Sequence, residues 1–139
     1  MKKLDFFFLL IFILLFKISL SQSFISQTIY YDGNNREYEL YIPENYNNSN
    51  AVPLLFNFHG GNGTISDQIY LSDMRSLADE NNFIIVYPQA IADPTDDGSL
   101  NWIFKGDSDH DDIYFIESII DELSSQYSID LTRVYACGY

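Results

Sequence analysis

The sequence predicts an α/β fold in which an antiparallel hairpin leads into a mostly parallel sheet flanked by helices. Three observations carry this expectation. Two β-rich stretches are joined by strong turn chemistry. Nearly continuous apolar runs read as strands covered on both faces. Helix-forming stretches then alternate with those runs, the order expected of crossover connections.

The chain opens with a basic Met1-Lys2-Lys3 and eleven uninterrupted apolar residues at 6–16, followed by Lys17 and the small residues of Ser19-Leu20-Ser21. This is the three-part layout of a secretory signal peptide covering residues 1–21. A membrane-spanning helix needs about 20 apolar residues, and Lys17 interrupts the run too early for one. The remaining residues, 22–139, are expected to form an incomplete portion of a single domain. The whole sequence carries a net charge of −13. Without its leader it retains four basic and nineteen acidic residues, a net −15. Such a surface repels nucleic acid and anionic membranes and favours solubility. The abundance of Phe, Tyr, Ile and Leu argues against disorder. The single cysteine, Cys137, cannot form a disulfide within the chain; in an oxidising compartment it is either buried or paired elsewhere. Asn47-Asn48-Ser49 and Asn62-Gly63-Thr64 are glycosylation sequons.

Thr28-Ile29-Tyr30-Tyr31 and residues 36–42 are the two hairpin strands, separated by Asp32-Gly33-Asn34-Asn35. In the second strand Tyr38, Leu40 and Ile42 should face inward, with Glu37, Glu39 and Tyr41 facing water. Residues 52–58, Val-Pro-Leu-Leu-Phe-Asn-Phe, read as a doubly covered strand. A helix capped by Ser66-Asp67 should then run through Tyr70, Met74, Leu77 and Ala78 to about Asn82. Phe83-Ile84-Ile85-Val86-Tyr87 forms the next strand, closed by Pro88. A loop rich in Gly, Asp and Pro spans about 90–110. The helix expected over about 112–127 places Ile113, Ile116, Ile119, Ile120, Leu123 and Tyr127 on one stripe, and Asp111 and Asp112 suit its N-terminus. Val134-Tyr135-Ala136-Cys137 begins a third buried strand. Since no helix follows it, one sheet face is left uncovered.

Two motifs carry chemistry. His59-Gly60-Gly61-Asn62-Gly63 directly follows the first doubly covered strand, where glycine permits close backbone approach to a ligand. A His-Gly-Gly loop in that place can present N–H groups to the oxyanion of an ester's tetrahedral intermediate. A plain Gly-rich turn is the competing reading. At the other end, Val134-Tyr135-Ala136-Cys137-Gly138-Tyr139 is a strand running into the first two residues of a G-x-S-x-G elbow, with the serine expected just after Tyr139. Gly106-Asp107-Ser108-Asp109-His110 fails at its last position.

On these segments the sequence resembles secreted α/β-hydrolase esterases of the polyhydroxybutyrate depolymerase and feruloyl esterase family. Arg36-Glu37-Tyr38-Glu39-Leu40-Tyr41-Ile42-Pro43 looks like that family's opening strand. Residues 53–61 look like its oxyanion segment. Leu77-Ala78-Asp79-Glu80 with residues 83–88 is similar to its next helix and strand, and residues 111–138 to its last helix and pre-nucleophile strand. The resemblance implies an oxyanion hole at Gly60, Gly61 and Asn62, an elbow begun by Gly138 and Tyr139, and Trp102 in the acyl pocket. A half-buried loop anchor is the other reading of Trp102. By the same resemblance, the triad Asp and His follow the serine, so His59 is not the catalytic base and no catalytic residue lies within 1–139. A glycan on Asn62 would then block the site.

The function so implied is a secreted serine carboxylic-ester hydrolase working through an acyl-enzyme, without metal or cofactor. Its substrate would be a polyester, a feruloylated or acetylated polysaccharide, or a small ester, and this chain alone would be inactive. The rival expectation is a secreted glycan-binding protein or degenerate hydrolase homologue without activity, suggested by the 17% aromatic content. The acidic run Asp107, Asp109, Asp111 and Asp112 lacks the glycine and glutamate of a calcium loop; it reads as a solvated, helix-capping stretch, and His110 as an exposed loop residue.

Overall fold

The computed structural model describes residues 23–92, 98–103 and 111–139. The expected signal peptide, the Gly106–His110 stretch and, of the acidic run, Asp107 and Asp109 lie outside the described residues. Among those described, no helix is long and apolar enough to cross a membrane.

The elements are β1 (Ile25–Tyr31), β2 (Asn34–Tyr41), β3 (Val52–Phe58), α1 (Ile65–Leu71), α2 (Arg75–Asn81), β4 (Ile84–Pro88), α3 (Asp112–Gln126) and β5 (Ile129–Gly138). They form one five-stranded sheet in the order β1-β2-β4-β3-β5. β1–β2 and β2–β4 are antiparallel, whereas β4–β3 and β3–β5 are parallel. The hairpin turn uses Asp32 at φ 46° and Gly33 at φ 76°, and two positive φ values give a turn whose twist matches that of the strands.

β3 connects to β4 on one side and β4 connects back past β3 to β5 on the other. Crossovers of a single hand therefore place α1 and α2 on one face of the sheet and α3 on the opposite face. Each face has its own core. Tyr38, Leu40, Leu54, Phe56 and Val86 pack with Phe115, Ile119 and Leu123 of α3. Tyr41, Ile85 and Tyr87 pack with Ala78 on the other side. The loops after β3 and β4 leave toward opposite faces, which opens a crevice at the C-terminal edge of the strands.

Four expectations are corrected. Tyr41 is buried rather than wet, because α2 covers that face and the carboxylate of Asp79 accepts its hydroxyl at 2.9 Å. The single helix expected after residue 66 is two helices. α1 is capped by Thr64 in a reciprocal pair with Asp67. The chain then breaks at residues 72–74, where Tyr87 Oη donates to Ser72 O at 2.6 Å and accepts the Met74 N–H at 3.2 Å. The buried stripe of α3 is Asp112, Phe115, Ile119 and Leu123, so Ile113 lies 52% exposed. Finally, β5 starts at Ile129 and is an edge strand rather than a buried one, with Leu131 and Tyr135 exposed. Its register slips between Val52 and Leu54, where Asp130 accepts the Thr132 N–H and the Arg133 Nε–H and holds the surplus residues outward.

Candidate active site

At the end of β3 the chain turns through His59, which is 2% exposed. Its Nε2 accepts the Ala90 N–H at 3.0 Å, and its Nδ1 lies 2.7 Å from Gly60 O. These partners assign the ring proton to Nδ1. Gln89 completes the setting: its Nε2 is 3.0 Å from His59 Nε2, and its Oε1 accepts the Ile65 N–H at 2.9 Å. A general base needs a nitrogen within reach of a substrate proton. Both nitrogens of His59 are occupied by backbone, so the ring shapes the loop.

Behind the loop stands Trp102. Its indole N–H donates to His59 O at 2.7 Å, its ring lies 4.9 Å from the imidazole, and it meets Phe58 edge-on at 5.0 Å. A polar handle satisfied on one side and an apolar body packed on the other is how a half-buried tryptophan anchors a loop. Trp102 also borders an apolar cleft of about 380 Å³ with Phe58, Ile113 and Ile116.

Asn62 adopts φ 61°. Its N–H is committed to Leu100 O at 2.9 Å and its Oδ1 accepts the Leu100 N–H at 3.3 Å. The Asn62 amide, one of three oxyanion donors expected from the sequence, is therefore already engaged. The Gly63 N–H closes a turn onto Gly60 O at 3.0 Å. Among the described residues, the N–H groups of Gly60 and Gly61 donate to no acceptor. Both residues line a cleft of about 430 Å³ together with Asp67, Gln68, Leu71 and Tyr139.

β5 arrives beside this loop. Gly138 pairs with Phe58, and the Tyr139 N–H reaches Phe58 O at 3.3 Å. A Cβ on Gly138 would sit 2.6 Å from Phe58 O, and one on Gly60 would sit 3.0 Å from Tyr139 O. Gly138 is required by this close approach, and a side chain at Gly60 would press on Tyr139. The two motifs found in the sequence thus converge at one end of the sheet, while Trp102 supports the loop from behind and lies outside the 430 Å³ cleft. The Cys137 thiol is half-buried, and burial raises its pKa.

Sequence reasoning missed Gln89, Leu100 and a buried ion pair. Arg36 Nη2 lies 2.5 Å from Asp112 Oδ1, with the two side chains 3% and 6% exposed, and its guanidinium stacks 3.8 Å over Phe115. Asp112, expected to be solvated, is pulled inward by that arginine. A signal was present, since Arg36 shares strand parity with Tyr38 and Leu40. A charge on a buried face requires a carboxylate partner.

No protein-family model matches the chain. The chain is 30% identical over 107 residues to the bifunctional acetylxylan esterase/xylanase XynS20E of Neocallimastix patriciarum, covering 77% of this chain and 14% of that protein. Among solved structures, the acetyl xylan esterase from Aspergillus awamori superposes with a TM-score of 0.63 at 21% identity, over 84% of this chain and 42% of that one. A ferulic acid esterase gives 0.60 at 18% identity, over 84% and 49%. The S-formylglutathione hydrolase from Agrobacterium tumefaciens gives 0.64 at 14% identity, over 84% and 47%. The chain has the α/β-hydrolase fold. It spans 14% of the length of its curated relative and under half of each of these solved structures. In the α/β-hydrolase fold, the loop after the third strand and the turn after the fifth supply oxyanion donors and nucleophile respectively. In this chain the Gly60–Gly61 loop follows the third strand, and Gly138 ends the fifth.

Proposed function

We propose that this chain contributes the oxyanion loop and the nucleophile-bearing strand of a secreted serine carboxylic-ester hydrolase. The supporting observation is the convergence of the Gly60–Gly61 loop with the C-terminal end of β5 across the Phe58–Gly138 pair. In this reading the residue following Tyr139 is the serine. Its Oγ attacks the ester carbonyl carbon as a histidine takes its proton, and the carbonyl π electrons move onto oxygen. Gly60 and Gly61 N–H groups, with the N–H after the serine, receive that oxyanion. Collapse expels the alcohol, which takes the proton from the histidine, and water releases the acid by the same steps. Donors fixed before the charge develops cost no reorganisation, and one such donor contributes about 3–4 kcal/mol to transition-state stabilisation. The histidine and its acidic partner come from sequence beyond Tyr139, so no cofactor or metal is invoked in the reading.

The similarity to an acetylxylan esterase/xylanase and to acetyl xylan and ferulic acid esterases favours an acylated polysaccharide as substrate, ahead of the polyester suggested by the polyhydroxybutyrate depolymerase resemblance. Residues 1–21 act as the secretion signal, and the strongly acidic remainder gives no surface for nucleic acid. The rival reading, a degenerate homologue that only binds glycan, makes the opposite forecast in one experiment. Residues 22–139 and the product of the full reading frame are each assayed on a short-chain chromogenic ester and on acetylated xylan. The esterase reading expects turnover from the full product and none from residues 22–139. A full product without turnover, or a frame without Ser-x-Gly after Tyr139, supports the binding protein.

A further inference from the structure

We infer that the Arg36–Asp112 ion pair is a positioning device for the Gly60–Gly63 loop, acting through the strap at residues 100–103. The buried pair lies at the centre of a chain of contacts. Asp112 Oδ2 accepts the Ile103 N–H at 2.6 Å, and the Asp112 N–H donates to Ile103 O at 3.0 Å. The next residue back, Trp102, holds His59 O. Two residues further back, Leu100 holds Asn62 through both its N–H and its carbonyl. A second route leaves from Arg36 itself, whose Nη2 reaches Gln89 O at 3.3 Å. The Gln89 side chain and the Ala90 N–H then meet the imidazole of His59.

Both routes therefore start at one buried charge pair and end on the two flanks of the same loop. Neither Arg36 nor Asp112 touches the cleft beside Gly60 and Gly61. Merely stabilising the sheet would not require this connectivity. A buried ion pair can be replaced by apolar residues at little or no cost in stability, whereas an apolar pair cannot accept the Ile103 N–H or hold Gln89 O. This inference rests on the loop being the oxyanion loop, but its test measures no activity, so its failure is distinguishable from failure of the esterase reading.

The test uses the double variant Arg36→Met/Asp112→Leu, which keeps the interior filled and leaves no lone buried charge. Trp102 is the sole tryptophan, so its fluorescence reports directly on the strap. Positioning predicts red-shifted, more quenchable Trp102 emission at a denaturation midpoint lowered no further than in Asp79→Ala. It also predicts amide exchange accelerated at least about tenfold at Asn62, Gly63 and Ala90, none of which bonds to the substituted side chains. Asp79→Ala, on the opposite sheet face, serves as a destabilised control in which Trp102 emission stays native. Native emission and unchanged exchange at Asn62 and Gly63 in the double variant would overturn the inference. If that variant does not fold, Arg36→Leu/Asp112→Met, a second apolar pair that leaves no lone charge, is judged by the same readouts.

Discussion

Gly138 and Phe58 set the closest backbone approach between the two motifs. A Cβ at position 138 would meet Phe58 O at 2.6 Å, so Gly138→Ala must push β5 away from β3. Overpacking of this kind costs about 1–3 kcal/mol, and a lowered denaturation midpoint with loss of the Tyr139 to Phe58 hydrogen bond is the expected result. Asp130 provides a pH marker. Hydrogen bonds from the Thr132 side chain, then from Arg133 and the Thr132 backbone, hold its carboxyl down to about 2. The folded pKa lies below the unfolded value of about 3.9. The contacts that order residues 130–133 are therefore complete above about pH 4 and are lost as the pH falls toward 2. An NMR titration of the Asp130 carboxyl should show that low midpoint, and Arg133→Ala should raise it. The residue scale is also where the sequence was least legible. His59-Gly60-Gly61 and Gly138 could be read directly because glycine and histidine after a strand are local signals. Arg36, Gln89 and Asp112 act through partners 53 and 76 residues away, and only the fold brings those partners together.

Strands and the hairpin followed local pattern, and their placement was foreseeable. β3 and β4 are apolar runs because parallel strands are covered on both faces, and the turn at Asp32-Gly33 is written in its residues. What pattern could not show is where tertiary contacts override it. Residues 66–82 have one helical period, yet the Tyr87 hydroxyl captures Ser72 O and the Met74 N–H and splits the segment. Asn57, fully buried on β3, adds its amide to Ser72 from the same side. Tyr87→Phe removes both hydroxyl bonds, leaving Ser72 O with only the Asn57 amide and the half-buried Met74 N–H without its acceptor, a loss of about 1 kcal/mol. Thermal melting should drop accordingly, and amide exchange should rise at Met74 ahead of Ala78. α3 was misphased for a related reason: the pull of Arg36 on Asp112 rotates Phe115 inward and Ile113 outward.

Across the whole molecule, the described sheet has a well-covered middle and an open flank. Tyr38, Leu54, Phe56 and Val86 are shielded by α3, while β5 shows Leu131 and Tyr135 and the neighbouring flank of α3 shows Ile113 and Tyr114. The same flank carries the end of β5 beside the Gly60–Gly61 loop. The account stands on the placement of Gly138 and Tyr139 beside the Gly60–Gly61 loop. The most direct measurement treats the product of the full reading frame with a serine-reactive phosphonate and locates the adduct by peptide mass spectrometry. The account predicts one modification, on a serine immediately following Tyr139, with loss of esterase activity in step with labelling. An active enzyme whose phosphonate lands on any other residue, or on none, would contradict it.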